Sequence, residues 1–467
     1  AWKLLESAKT NNSKYKIGIF ADISGAFDNL WWPSLFTRLK ELKCPADLLK
    51  IIRDYCANRE VGVSVPGDRL SRYTTKGCPQ GSVCGPTFWD IVVEPILISL
   101  QRLPETETVV AYADDIAIII NGNTRRQLED KAKIVIIELN NWCKMNKLIL
   151  SKEKTVYMLL KGNLRRNPVL KSEELNIKRV KTLKYLGILL DDKLNFQRHI
   201  RYVADKATAV MHKIISIGQR RFHLPLHIIE RYHHSIMVAT MAYGASAWAH
   251  RLNIVRNAKI INGAQRKVLI RLTGAYSTVS QAGLLVTLGV HPMHLEVIKR
   301  ACCYWIKNED VVRATEILGS LVVTREELYG KLLDRWQEEW STDLGGRRVF
   351  EIFPDIRERM RMNYIKPQRG LIHYITGHGP YNEKLYQLSL IDSPICECKR
   401  GIGTQEHVLW NCPVSEEVSE PLRRECPVQD IREIVRNREQ FLSCQKLATA
   451  VCNFYRERFR ARRGNIN

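Results

Sequence analysis

Short apolar runs rich in β-branched residues punctuate the N-terminal part of the chain. Ile17-Gly18-Ile19-Phe20-Ala21, Val109-Val110-Ala111 and Ile116-Ala117-Ile118-Ile119-Ile120 have the length and composition of buried strands. Between them Thr87 to Leu100 is an apolar segment, and beyond them Leu128, Ala132, Val135, Leu139 and Trp142 recur at spacings of four, three, four and three. That period marks one face of a helix packed on a sheet. From about Asn195 the pattern becomes helical and stays so. The uncharged stretch Ile236 to Ala249 has fourteen residues, fewer than the ~20 of an ordinary membrane span, and reads as a buried helix. No internal repeat or extended low-complexity tract is evident.

The polar residues that interrupt the strands are acids. Asp22 closes the first run, and Ser24-Gly25 turns the chain toward Trp31-Trp32-Pro33, where a helix can begin. Asp114 and Asp115 divide the later two runs, which therefore read as a hairpin whose tight turn lifts two carboxylates out of a buried sheet. Adjacent carboxylates repel and desolvate badly, so they persist where water or a divalent cation compensates them. A solvated Asp-Asp turn is the plain reading; a metal site shared with Asp22 is the chemical one. Phosphoryl transfer uses such a site, with two Mg²⁺ roughly 3.5–4 Å apart on hard oxygen ligands. Between the acids, the Gly and Pro residues of Gly77 to Pro86 specify a sharp loop, either a simple connection or one whose backbone approaches a ligand.

In this order FADISGAFD, GCPQGSVCGP, YADD and Leu183-Lys184-Tyr185-Leu186-Gly187-Ile188 resemble successive motifs of a reverse transcriptase palm. With Trp31-Trp32-Pro33 after the first motif, the chain most resembles the polymerase of non-LTR (LINE-type) retrotransposons, over about residues 15–190 and more weakly over 190–300. The resemblance implies that Asp22 and Asp114 are ligands of two Mg²⁺ ions, with Asp115 the supporting acid. It makes Phe27 the bulky residue that excludes a ribose 2′-hydroxyl, and Gln80 and Gly81 the contacts to incoming nucleotide and template. Lys154 resembles the palm lysine near the triphosphate, and the 183–188 segment the hairpin that grips the primer. By spacing alone, Phe27 reads equally as a core aromatic and Lys154 as an exposed lysine at the end of an element. The implied partners are an RNA template, a DNA primer or target and deoxyribonucleoside triphosphates; no protein partner is assigned. The expected location is intracellular, in nucleus and cytoplasm as a ribonucleoprotein.

Composition agrees with a polyanionic partner. The 72 Lys+Arg against 49 Asp+Glu give a formal charge of +23, although charge alone does not separate nucleic acid from an anionic membrane surface. No membrane span is expected. Thirteen scattered Cys argue for a reducing compartment over a disulfide framework. At 467 residues the chain has room for two to four domains. It does not open on Met, and the expectation is of a fragment of a longer polyprotein lacking upstream fingers and endonuclease, which polymerises poorly alone.

Cys396-Glu397-Cys398, His407 and Cys412 supply four soft or borderline ligands, enough for a closed tetrahedral Zn²⁺ site. The single residue between the first two Cys is an unusual spacing, and unrelated residues are the alternative; non-LTR polymerases often carry a Cys/His knuckle here, which supports zinc. His233-His234 and His291 with His294 lack acidic or Cys companions nearby in sequence and read as helix or core histidines. A basic, irregular segment holds Arg165, Arg166, Lys171, Lys178, Arg179, Lys181 and Lys184, either a backbone-tracking surface or a solvated one. Lys213, Arg220, Arg221, Arg266, Lys267 and Arg271 punctuate the helical part, where a thumb would clamp a duplex. Arg456, Arg458, Arg460, Arg462 and Arg463, with Tyr455 and Phe459, close the chain as a basic tail that fits a disordered arm equally well.

The combined reading is an α+β fold: a right-hand polymerase palm with an antiparallel sheet and packed helices, then a helical thumb and an α-rich C-terminal region with a zinc knuckle. The expected divisions are 1–190 (fingers remnant and palm), 191–300 (thumb), 301–390 (helical connector) and 391–467 (Cys/His region and basic tail). The expected activity is RNA-directed DNA synthesis by two-metal nucleotidyl transfer. The alternatives are a catalytically silent nucleic-acid-binding relic and a group II intron-type or telomerase-type polymerase. The three retained acids and the Gln-Gly loop speak against the first, and Trp-Trp-Pro and the late Cys/His cluster against the others.

Overall fold

The runs 17–21 and 116–120 become the middle of a sheet because strands buried on both faces need apolar side chains on both, while the run 109–111 forms its half-buried edge. In chain order the strands are β1 (Tyr15–Asp22), β2 (Glu60–Val65), β3 (Asp68–Tyr73), β4 (Thr108–Tyr112), β5 (Asp115–Gly122), β6 (Val156–Lys161), β7 (Leu170–Lys171), β8 (Asn176–Arg179), β9 (Thr182–Tyr185) and β10 (Ile188–Asp191). Six of them form one sheet in the order β4-β5-β1-β6-β8-β7, with β9–β10 and β2–β3 as separate hairpins. The ladders are antiparallel except β6–β8, which is parallel. The expected antiparallel sheet is corrected at that pair, and the segment expected to be irregular contains β7, β8 and most of β9. The computed structural model describes residues 2–10, 13–79, 81–172, 175–220 and 231–464.

Alternation along β1 divides the sheet into two chemistries. Ile17, Ile19 and Ala21 join Ile116, Ile118 and Ile120 of β5 in a core with Trp89, Val92, Val93 and Ile96 of the helix Cys84–Arg102. Leu128, Ala132, Val135, Leu139 and Trp142 of the helix Arg125–Met145 enter the same core, as their spacing predicts, with Ile136 and Cys143 besides. Thr124 caps that helix, its side chain accepting from the Gln127 backbone N–H. On the other face Phe20 meets Tyr185 of the β9–β10 hairpin edge to face, ring centroids 5.3 Å apart. Lys16, on that face too, is fully buried: its Nζ donates to the Ser7 carbonyl at 2.6 Å and pairs with Glu107 at 2.6 Å, fastening the helix Trp2–Lys9 to the sheet.

The chain forms two compact units, Ala1–Phe196 and Gln197–Asn467. Among its described residues the regular elements of the second are all helices, with one isolated bridge between Ile395 and Ile402. The expected buried helix over 236–249 is helical as far as Met241, through a π-helical turn His233–Val238 that runs into Ala239–Met241, and resumes as Ala245–Trp248 after a break where Gly244 takes φ +60°. Among the described residues no helix is long and apolar enough to cross a membrane. The basic tail is also corrected, since it continues the helix Arg438–Gly464.

Candidate active site

The β1–β5 register sets Asp22 directly opposite Asp115, and the β4–β5 register sets Tyr112 opposite Asp115, which leaves Ala113 and Asp114 as a two-residue turn. Paired residues share a face, so Asp22 and Asp115 both project from the face that carries Phe20, away from the two core helices. Asp114 adjoins them at the turn. Ala113 holds φ +52°, a left-handed conformation that costs a residue with a Cβ roughly 1–2 kcal/mol. The fully buried Trp89 lies beneath this turn, and its Nε1–H donates to the Ala113 carbonyl at 2.8 Å.

The acids feel one another. Burial raises the Asp115 carboxyl above its ordinary value, and the charges of Asp114 and Asp22 push it the same way, against Lys154. Asp22 Oδ2 is buried and makes no hydrogen bond; Lys154 Nζ stands 3.5 Å away. Lys154 arrives from distant sequence because residues 149–155 run beside the end of β1. The Ser24 N–H donates to the Ile149 carbonyl, the Ser151 N–H to the Asp22 carbonyl, and the Asp22 N–H to Thr155 Oγ1. The lysine side chain is 71% exposed, which leaves it free to turn toward a bound anion. Among the described residues, the three carboxylates are neighbours by register and are not drawn round one point as the Cys/His cluster is.

Phe27 sits in the short helix Ala26–Asn29, half-buried against the core, its ring centroid 5.9 Å from that of Trp89. Its backbone is stitched to the glycine-rich loop. The Cys78 N–H donates to the Phe27 carbonyl at 2.8 Å, the Gly77 N–H to the Leu30 carbonyl at 2.7 Å, and Trp32 Nε1–H to the Gly77 carbonyl at 2.9 Å. Gly77 has φ +92°, and a Cβ there would lie 2.7 Å from the Asp28 carbonyl oxygen, so this close approach requires glycine. Gly81 is exposed with φ +85°. Gln80 lies outside the described residues. Tyr185, in the 183–188 motif, is buried with a hydroxyl that makes no hydrogen bond, and burial together with the Asp115 charge holds its phenol in the neutral form.

In the second unit Cys396, Cys398, His407 and Cys412 converge, their ligand atoms all within 4.8 Å of one another. Cys396 Sγ is 3.4 Å from Cys412 Sγ, and Cys398 Sγ is 3.2 Å from His407 Nε2. Tetrahedral bonds of about 2.0–2.3 Å imply ligand separations of roughly 3.3–3.8 Å, so small adjustments would seat an ion. Tyr455 Oη donates to Cys412 Sγ at 3.0 Å, and Arg458 pairs with Glu397 at 2.7 Å, so the terminal helix is packed on this cluster. The unusual single-residue spacing of the first two Cys does not prevent convergence. Nothing in the spacing of the tail marks Tyr455 as a partner of the ligands.

Arg266, Arg271, Arg179, His294 and His233, among the other basic and histidine candidates, are engaged within the protein. Arg266 donates to the Ser277 and Val279 carbonyls and Arg271 to Ser216 Oγ, and Arg179 pairs with Asp192 at 3.7 Å. Arg221 lies outside the described residues, as do the side chains of Arg220, Arg460, Arg462 and Arg463. His294 has an acidic companion after all: its Nε2 is 3.0 Å from Glu339, while Nδ1 is 2.8 Å from Asn262 Nδ2. His233 is buried against the His234 ring.

Residues 3–190 match the family of reverse transcriptases (RNA-dependent DNA polymerase). A Pol polyprotein from the type-1 retrotransposable element R1 of Bradysia coprophila is 29% identical over 90% of this chain and 42% of its own length. One from R1 2 of Nasonia vitripennis is 31% identical over 73% of this chain and 86% of its own length. The RNA-directed DNA polymerase of the mobile element jockey of Drosophila melanogaster is 27% identical over 56% of this chain and 29% of its own length. The chain thus spans about two-fifths of the Bradysia protein. A Candida albicans telomerase structure aligns with a TM-score of 0.31 at 11% identity, covering 73% of this chain and 49% of that one.

Proposed function

The chain belongs to the Pol polyproteins of type-1, non-LTR (LINE-type) retrotransposable elements, and we propose that it is an RNA-directed DNA polymerase extending a primer 3′-end on an RNA template. The observation that carries this is the register that places Asp22 against Asp115, with Asp114 in the adjoining turn. Three hard carboxylates at one sheet end, one of them with a buried oxygen lacking a hydrogen bond, fit divalent cations of the Mg²⁺ type. Asp22 and Asp114 would hold two such ions, with Asp115 in support, and the ions supply activation of the 3′-hydroxyl and neutralisation of the triphosphate.

In this reading the primer 3′-oxygen bonds to the α-phosphorus of a deoxyribonucleoside triphosphate, the bond to pyrophosphate breaks, and the hydroxyl proton passes to solvent water. Lys154 Nζ, beside Asp22, is placed to donate a proton or positive charge to the leaving pyrophosphate. The ring of Phe27 walls off the ribose 2′ position, its backbone fixed by Cys78. Gly81 and Gln80 belong to the loop that would contact nucleotide and template. The 183–188 hairpin would hold the primer near the acids. Cys396, Cys398, His407 and Cys412 fit one structural Zn²⁺, given their donor set and convergence. Residues 1–190 would be fingers and palm, 191–300 a thumb, 301–390 a connector and 391–467 the knuckle and terminal helix, working inside the cell as a ribonucleoprotein.

The test is extension of a primed RNA template by the full-length protein carrying Asp22→Asn or Asp114→Asn. Either change should abolish extension while template binding, which rests on distributed phosphate contacts, stays near wild type. Near-normal extension by either variant would remove this function.

A further inference from the structure

We propose that Trp89 is a positioning residue for the proposed active site, its indole N–H fixing the turn that carries Asp114 while its ring backs Phe27. The inference rests on the polymerase reading above and adds a residue that the acids, the glycine-rich loop and the lysine do not account for. Trp89 is fully buried in the helix Cys84–Arg102, and one side chain reaches both elements: Nε1 is 2.8 Å from the Ala113 carbonyl oxygen, and the ring centroid is 5.9 Å from that of Phe27 at 33°.

The geometry gives the hydrogen bond a specific task. The β4–β5 ladder ends at the Tyr112–Asp115 pair, so the Ala113–Asp114 peptide lies beyond it. Ala113 sits at φ +52°, where L-residues are disfavoured and the surroundings must hold the conformation. The direction of the Ala113 carbonyl fixes the plane of the peptide that leads into Asp114. A donor on that carbonyl therefore fixes where the Asp114 carboxylate starts. Trp89 acts from the core side of the sheet, whereas Asp22 and Asp115 project from the opposite face, so it can hold the turn without occupying space needed by substrate. Any aromatic residue could back Phe27; holding the turn requires the indole N–H.

The two roles can be separated chemically. Replacing Trp89 with 3-benzothienylalanine in the full-length protein keeps the ring shape and removes the donor, and Trp89→Leu removes both. Supporting groups behind metal ligands are commonly worth about 10- to 100-fold in metal affinity or rate. The benzothienylalanine protein should melt like wild type and bind primed template normally. Its extension kcat should fall by about tenfold or more, and its binding of Mn²⁺, titrated without nucleotide by loss of the free-ion electron paramagnetic resonance signal, should weaken by about tenfold. Its preference for deoxyribonucleotides over ribonucleotides should persist, and Trp89→Leu should relax that preference.

Wild-type kcat and Mn²⁺ binding in the benzothienylalanine protein would overturn the proposal. So would an equal loss of sugar preference in both variants, which would make Trp89 a packing residue only. Asp114→Asn is run alongside: its inactivity with an unaffected benzothienylalanine protein sinks this inference alone, whereas its activity sinks the polymerase reading.

Discussion

Asp22 and Asp115 face each other across the β1–β5 ladder at the end of β1. Without cations this pairing is unfavourable, and the raised carboxyl of Asp115 records that, through burial first and the charges of Asp114 and Asp22 next. Asp115→Asn removes one member of the repulsive set. Melted without divalent cations, the variant should be as stable as wild type or a few degrees more so, while the gain in melting temperature on adding Mg²⁺ should shrink. Extension should drop by roughly 10- to 100-fold, the scale of a supporting group at a metal site. A variant with wild-type extension and an undiminished Mg²⁺ effect would show that Asp115 takes no part.

Phe27 tests the sugar wall. Its backbone is fixed by Cys78 and its ring leans on Trp89, so shortening the side chain should open space without moving the chain. Phe27→Val should raise the ratio of ribonucleotide to deoxyribonucleotide incorporation by roughly 10- to 100-fold, the range for small steric differences in a pocket. Folding stability should fall by about 1–2 kcal/mol for a half-buried aromatic trimmed against the core. Single-nucleotide extension with matched ribo- and deoxyribonucleotides measures the ratio. Unchanged selectivity in a folded variant would return Phe27 to a packing role.

The Cys/His cluster predicts a metal content. The full-length protein should carry about one equivalent of zinc, lost in Cys398→Ser. Because Tyr455 and Arg458 tie the helix Arg438–Gly464 to the cluster, zinc loss should also increase amide exchange in that helix near Tyr455. Extension on a generic primed template should persist. A zinc-free wild-type protein would dismiss the site, and exchange in the helix indifferent to zinc would uncouple the two.

What could be read in the sequence was local. Periodicity placed β1, the β4–β5 hairpin and the helix Arg125–Met145, because strand and helix faces repeat at fixed short intervals. Trp31-Trp32-Pro33 marked the start of the helix Trp32–Glu41, because proline suits a helix's first turn. The partners of the site residues were not local. Lys154 reaches Asp22 only because residues 149–155 pair with the end of β1, and Trp89 looks in sequence like any core position of its helix. The tail resembled a solvated basic arm because arginine dominates it. What makes it a packed helix is Tyr455 on Cys412, a contact between residues 43 apart.

Three buried histidines predict the acid stability of the second unit. His199, His233 and His373 are each held down from an ordinary 6.5 to about 4 by burial, and His233 further by His234. Nε2 of His233 lacks a hydrogen bond. The folded pKa of all three lies below the unfolded value, so as pH falls the unfolded chain takes up protons first. The stability they contribute is therefore complete above about 6.5 and is lost progressively as pH falls toward about 4. A depression of this size is worth at most about 3 kcal/mol per histidine. Denaturant unfolding should therefore show stability falling between pH 6.5 and 5, above the range where most carboxylates titrate, with net proton uptake on unfolding. His233→Leu, which replaces a buried imidazole with an apolar side chain, should flatten the slope by up to about one proton. Stability independent of pH across that interval would mean that these histidines are hydrated or paired and not sealed in the core.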